Sequence, residues 1–172
     1  MTFILISGDP DTGKTHVCQE LRDILDQDPS FAKPATPKQV QVKEVLRHYE
    51  KKGKHIVLNS AADDDRCMER LARYIDRLGA RPDIIITAIR EKGCFKDRML
   101  ALLEEVAKGT PNLADYYRKH IAGRKNFAAA PLASHTPVVL HLTKQPASGN
   151  NALASYWTKN ASDAKRELDL IV

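Results

Sequence analysis

Long apolar runs are missing from these 172 residues. No stretch approaches the ~20 apolar residues of a membrane-crossing helix, which argues against a membrane partner. Cysteine is scarce. Cys18, Cys67 and Cys94 stand far apart with no CxxC spacing, which excludes a disulfide framework and a thiolate metal site. The histidines are too dispersed to form a metal cluster. No internal repeat, low-complexity tract or secretory leader is present, and the chain opens directly on a strand pattern. Reduced thiols and no leader point to a cytoplasmic protein. The length suits one domain with its own core. Net charge is only +5, but its placement is uneven. Residues 1–107 carry 18 basic and 18 acidic side chains, whereas residues 108–172 carry 9 against 4. A basic last third can bind acidic substrate, nucleotide or nucleic acid, or can simply keep the surface solvated.

What the chain does have is an apolar run, Phe3 to Ile6, followed at once by Ser7-Gly8-Asp9-Pro10-Asp11-Thr12-Gly13-Lys14-Thr15. Glycines at both ends of that loop let the backbone wrap closely around an anion. Successive N–H groups, backed by the positive end of the following helix, form an anion-binding concavity. Lys14 adds a point charge within reach of terminal phosphates, and Thr15 offers a hydroxyl to a magnesium ion.

The pattern G-x-x-x-x-G-K-T between a strand and a helix resembles the Walker A loop of the P-loop NTPases. The specific part of the resemblance covers about residues 3–27. It implies an α/β fold, a three-layer sandwich around a mostly parallel sheet, with ATP and Mg2+ as ligands. It also implies one nucleotide-binding domain over residues 1–172, with Gly8, Asp9, Asp11, Thr12, Gly13, Lys14, Thr15 and His16 around the phosphates. His16 also has a purely structural reading.

The remaining pattern agrees with an α/β chain. Residues 3–7, 55–60, 84–89 and 138–142 read as strands, and an antiparallel hairpin within 40–60 leads into the second of them. Helical periodicity follows the loop as far as Asp28-Pro29 and returns around Met68–Leu78, over 96–107 and around Leu113–Ile121. A closing helix is expected from about Ala161, with Asn160 near its cap and a Gly/Asn loop at Ser148–Asn151. Ligands of such sheets bind beyond the carboxyl ends of strands, here Ser7–Thr15, Asn59–Asp65, Thr87–Gly93 and Leu142–Gln145. Whether strand 55–60 or strand 84–89 lies beside the loop strand is open.

Two strand ends compete to supply a second magnesium ligand. One carries Ser60 and then Asp63, Asp64 and Asp65; the other carries Thr87 and Glu91. A carboxylate suits a hard cation better than a lone hydroxyl, so Asp63 is preferred, although the acidic triplet also reads as a helix cap. Arg90 can meet a γ-phosphate, or pair with Glu91 or Asp97 on the surface. Asp11 can position water or a substrate hydroxyl, or serve only the turn. Lys14, Arg90 and Asp11 are thus the catalytic candidates. The basic segment 108–126 occupies the place of a lid in the nucleotide-kinase-like group, with Arg118 and Arg124 as its phosphate-facing arginines; a solvated helix face is the alternative.

Three functions are compatible with these residues. The first is a small kinase-like phosphotransferase that moves the ATP γ-phosphoryl to an unknown acceptor. The second is an ATP-hydrolysing regulatory switch acting through a partner protein. The third is a nucleic-acid-associated ATPase, suggested only by the basic last third. No N-K-x-D signature for guanine occurs, which favours ATP over GTP.

Overall fold

Strand β1 (Thr2–Gly8) is buried along nearly its whole length, as its unbroken apolar sequence requires. The computed structural model describes residues 1–34, 44–124, 132, 135–143, 145–146 and 150–172. Alternate side chains of β1 enter two separate cores. Phe3 and Leu5 join one core with side chains of helices α2 (Asp65–Asp76), α3 (Cys94–Lys108) and α4 (Leu113–His120). Ile4 and Ile6 join the other, with α1 (Lys14–Gln27) and α5 (Asn150–Ile171). Burying each of these four side chains contributes about 2 kcal/mol, so burial fixes β1, and the loop that follows inherits its position.

The remaining strands are β2 (Leu46–Lys51), β3 (Lys54–Asn59), β4 (Ile84–Arg90) and β5 (Val138–His141). The sheet order is β2-β3-β4-β1-β5. All neighbours run parallel except the β2–β3 hairpin. The expected hairpin is therefore present in its described part, while residues 40–43 lie outside the described residues. Its turn is Lys52-Gly53, with φ of 49° and 73°, the left-handed pair that a two-residue hairpin favours. The open question of order is resolved: β4, not β3, lies beside β1. Register sets Gly8 opposite Arg90 on one side and Ser7 opposite His141 on the other.

Helix ends follow local chemistry. Asp64 caps α2, its side chain accepting from the Cys67 N–H at 2.7 Å, as the acidic triplet predicts. The start of α4 is capped from another helix: Asp76 accepts from the N–H groups of Leu113 and Ala114. The closing helix is longer than expected. It runs Asn150–Ile171, and Asn160 lies inside it rather than at its cap. The Asn160 amide donates to the Tyr156 carbonyl at 2.8 Å, which satisfies the polar group within the helix. Among the described residues no helix is long and apolar enough to cross a membrane.

The hairpin brings two histidines together. His48 Nε2 lies 3.0 Å from His55 Nδ1. Burial, and then His55, hold His48 below its ordinary value of 6.5, with Glu50 acting in the opposite sense. Folding therefore favours the neutral ring. As pH falls through about 6.5, the unfolded chain protonates His48 before the folded chain does, and stability declines. Urea midpoints at about pH 7.5 and about pH 5.5 should differ, and His48→Gln should reduce that difference; an unchanged difference would remove His48 as its source.

Candidate functional site

The loop between β1 and α1 is held by its own short-range bonds. Thr12 Oγ1 donates to the Asp9 carbonyl at 2.9 Å. A side chain at Gly8 would bring its Cβ to 2.4 Å from that hydroxyl, so any larger residue here would displace Thr12 from its bond. Asp11 adopts φ 62° and Gly13 φ 80°, and these left-handed residues turn the chain into α1. At Gly13 a Cβ would also lie 2.6 Å from Gln145 Nε2 and 2.8 Å from Trp157 Nε1. Asp11 is thus a turn residue by conformation, and it also lines the cavity described below.

Lys14 is only 8% exposed. Its ammonium donates to the carbonyls of Gly8 at 2.9 Å and Asp9 at 2.7 Å. Burial lowers its pKa; Asp63 raises it in return and Arg90 lowers it again. Among the described residues no acceptor meets the N–H groups of Gly13, Lys14 or Thr15. These are donors that a helix start leaves free.

A cavity of about 510 Å³ opens over this group, lined by Asp11, Gly13, Lys14, Thr15, His16, Asp63 and Arg90, with Pro10 and Gln145. Residues from three strand ends, β1, β3 and β4, thus converge. Arg90 Nε donates to Asp63 Oδ1 at 3.0 Å, so its ion pair is with Asp63 and not with Glu91 or Asp97. Asp63 is well exposed and free to exchange partners. The rival hydroxyls are already engaged. Ser60 Oγ accepts from the Val45 N–H, and Thr87 Oγ1 accepts from Asn59 and donates to the Ala88 carbonyl. Asp63 is accordingly the carboxylate beyond β3 or β4 that lines this cavity beside Lys14 and Thr15.

Arg118 and Arg124 do not line that cavity. Arg118 pairs with Glu69 on α2 at 2.9 Å and with Asp115 on its own helix at 2.7 Å. Arg124 contributes its carbonyl, which accepts from Arg98 Nε and Nη2, while its side chain is exposed. Lys125 lies outside the described residues.

The region after β5 supplies neighbours that the loop motif does not contain. Gln145 donates to the Asp11 carbonyl at 2.9 Å. Tyr156 donates to the Thr143 carbonyl at 2.7 Å. His16 stacks on Trp157 with centroids 4.1 Å apart and planes 11° from parallel. The position of Gln145 beyond a parallel strand was its available signal; that of Trp157 was aromaticity alone.

Among the described residues no group of three or more His, Cys, Asp or Glu is placed to hold a metal. Comparison with protein-family models, with curated proteins and with solved structures yields no match.

Proposed function

We propose that the protein belongs to the P-loop NTPase class and binds ATP with Mg2+ on the loop Gly8–Thr15, transferring the γ-phosphoryl group to an acceptor. The observation that carries this reading is the set of free N–H donors at Gly13, Lys14 and Thr15, residues that line one cavity with the nearly buried Lys14 side chain. The residues present fit a triphosphate. The Lys14 ammonium rests on two carbonyl oxygens, and phosphate oxygens are stronger acceptors for the same group. Magnesium commonly takes one or two protein oxygens and completes its shell with phosphate and water. Thr15 and Asp63 would supply those oxygens, and Mg2+ when bound would neutralise charge on the transferring group.

The chain's own part in the reaction is positioning and charge. The loop N–H groups orient the phosphates, and Lys14 holds positive charge close to the terminal oxygens. Arg90, whose strand ends opposite Gly8, brings a second cation to the same cavity. Asp63 and Arg90 now satisfy each other, so engaging both in catalysis requires their ion pair to open or be shared. Asp11, exposed at the cavity edge, is placed to orient a water or hydroxyl acceptor.

A second reading, an ATP-hydrolysing regulatory protein acting through a protein or nucleic-acid partner, is favoured by one observation. Arg118 is committed to Glu69 and Asp115, away from the phosphate cavity, so it does not serve there as the lid arginine of a phosphotransferase.

The test is thermal stability with and without Mg-ATP and Mg-GTP, followed by phosphate release. A ligand at about a hundred times its Kd should stabilise the fold by about 2.7 kcal/mol. Turnover accelerated by a small hydroxyl-bearing acceptor supports transfer, and turnover accelerated by a protein or by DNA or RNA supports the second reading. No stabilisation by either nucleotide would overturn both.

A further inference from the structure

A stacked ring pair stands beside the phosphate loop. His16 belongs to the first turn of α1, lines the cavity of about 510 Å³ and is exposed. The indole of Trp157, from α5, covers one face of its imidazole, with centroids 4.1 Å apart and planes 11° from parallel. The exposed area of the imidazole is therefore its opposite face and its edge. Trp157 is half-buried and packs against the core that α1 and α5 share. Its Nε1 is buried and meets no acceptor among the described residues, so packing and the stack hold the indole in place. Tyr156, the preceding residue, fixes the same turn of α5 by donating to the Thr143 carbonyl at 2.7 Å.

Sheet order sets what lies on either side of the loop. β1 runs between β4 and β5, with Gly8 opposite Arg90 and Ser7 opposite His141. The ion pair of Asp63 and Arg90 reaches the cavity from the β3 and β4 ends. On the face of the sheet that carries both helices, α1 packs against β1, β3 and β4, and α5 against β1 and β5. A ring of α1 that meets α5 thus points toward the β5 side, away from that ion pair. Gln145, which follows β5, lines the cavity as well, and its Nε2 is spent on the Asp11 carbonyl. Among the described residues lining the cavity, His16 brings the one aromatic ring.

On the nucleotide reading above, we propose that the open face of His16, backed by Trp157, is the platform on which the base of the bound nucleotide stacks. The ligand then has a direction. Its base lies toward α5, its phosphates over Gly13–Thr15, and its terminal phosphoryl toward Arg90. Stacking requires only a π-face, so the platform accepts any base, and a purine, with its larger overlap, more strongly than a pyrimidine.

Calorimetric titration of the full chain compares Mg-ATP, Mg-UTP and the magnesium form of ribose 5-triphosphate, which keeps the sugar and the phosphates and lacks only the base. Mg-ATP should bind at least about tenfold more tightly than the base-free ligand, the usual contribution of one base–aromatic stack, with Mg-UTP between them. His16→Ala should bring the affinity for Mg-ATP down to that for ribose 5-triphosphate in the same variant. His16→Phe should keep most of the difference, because a phenyl ring also stacks. His16→Gln serves if the alanine variant fails to fold. Three results would each overturn the platform while the phosphate loop stands: equal affinities for Mg-ATP and the base-free ligand, Mg-UTP binding as tightly as Mg-ATP, or a difference that survives without an aromatic ring at position 16. Binding of none of the three ligands would overturn the phosphate-loop reading and the platform with it, so the two failures are told apart.

Discussion

Lys14→Ala should abolish stabilisation by Mg-ATP and lower any nucleotide turnover by at least about a hundredfold, the usual effect of removing a preorganised charge donor. The ammonium sits at the convergence of the site. It is nearly buried, it touches the carbonyls of Gly8 and Asp9, and Asp63 and Arg90 both act on its ionisation. Alanine at this position removes the cation and leaves the N–H groups around it in place, so residual binding would measure the backbone concavity alone. Arg118→Ala is the matching control, because its guanidinium is held by Glu69 and Asp115. It should leave the nucleotide response intact. Equal Mg-ATP stabilisation of the wild type and Lys14→Ala would mean that the loop does not hold phosphate through this lysine.

Asp65→Ala should cost about 3 kcal/mol of folding stability, because it strands a buried charge. Arg98 is 5% exposed, and its Nη1 donates to Asp65 at 2.7 Å. The same carboxylate accepts from the Tyr117 hydroxyl at 2.6 Å and from the Gly123 N–H at 3.3 Å. Arg98 reaches on to the Arg124 carbonyl. One side chain at the start of α2 thus ties α3, α4 and the residues after α4 into a single node. Removing it leaves Arg98 with the Arg124 carbonyl and the Phe95 ring but no carboxylate among its described partners, and the Tyr117 hydroxyl with Met68 sulfur at 3.2 Å. Urea denaturation measures the loss, and Asp65→Ala combined with Arg98→Met should recover part of it. A loss below about 1 kcal/mol would show that water readily replaces the carboxylate.

The node explains which part of the basic segment could be read in advance. Its charge and helical periodicity are visible in residues 108–126, and the helix is there at Leu113–His120. Its docking is not visible, because Asp65, Asp76 and Glu69, which hold it, lie far back in the chain. The same distinction applies at the candidate site. Gly8, Gly13, Lys14 and Thr15 are legible because their spacing is local and each position has its own physical demand. Arg90 and Asp63 are legible as strand-end residues, but their mutual pairing depends on β4 lying next to β1 and β3, which no local pattern specifies. Asn150, Asn151 and Asn160 resemble loop and cap chemistry, so the sequence predicts a shorter closing helix than Asn150–Ile171. Within the helix the Asn160 amide bonds the Tyr156 carbonyl instead of capping an end.

The inward fold of Lys14 onto Gly8 and Asp9 has a thermodynamic consequence for any anion that enters. The loop is already wound, its tight turn closed and its ammonium seated. An arriving polyanion would exchange one set of oxygen acceptors for another instead of ordering slack chain. Little conformational entropy is then left to lose at the moment of capture, so affinity would come from the quality of the exchange and from displaced water. Only the two contacts of Lys14 would change hands, and the wound loop would stay as it is.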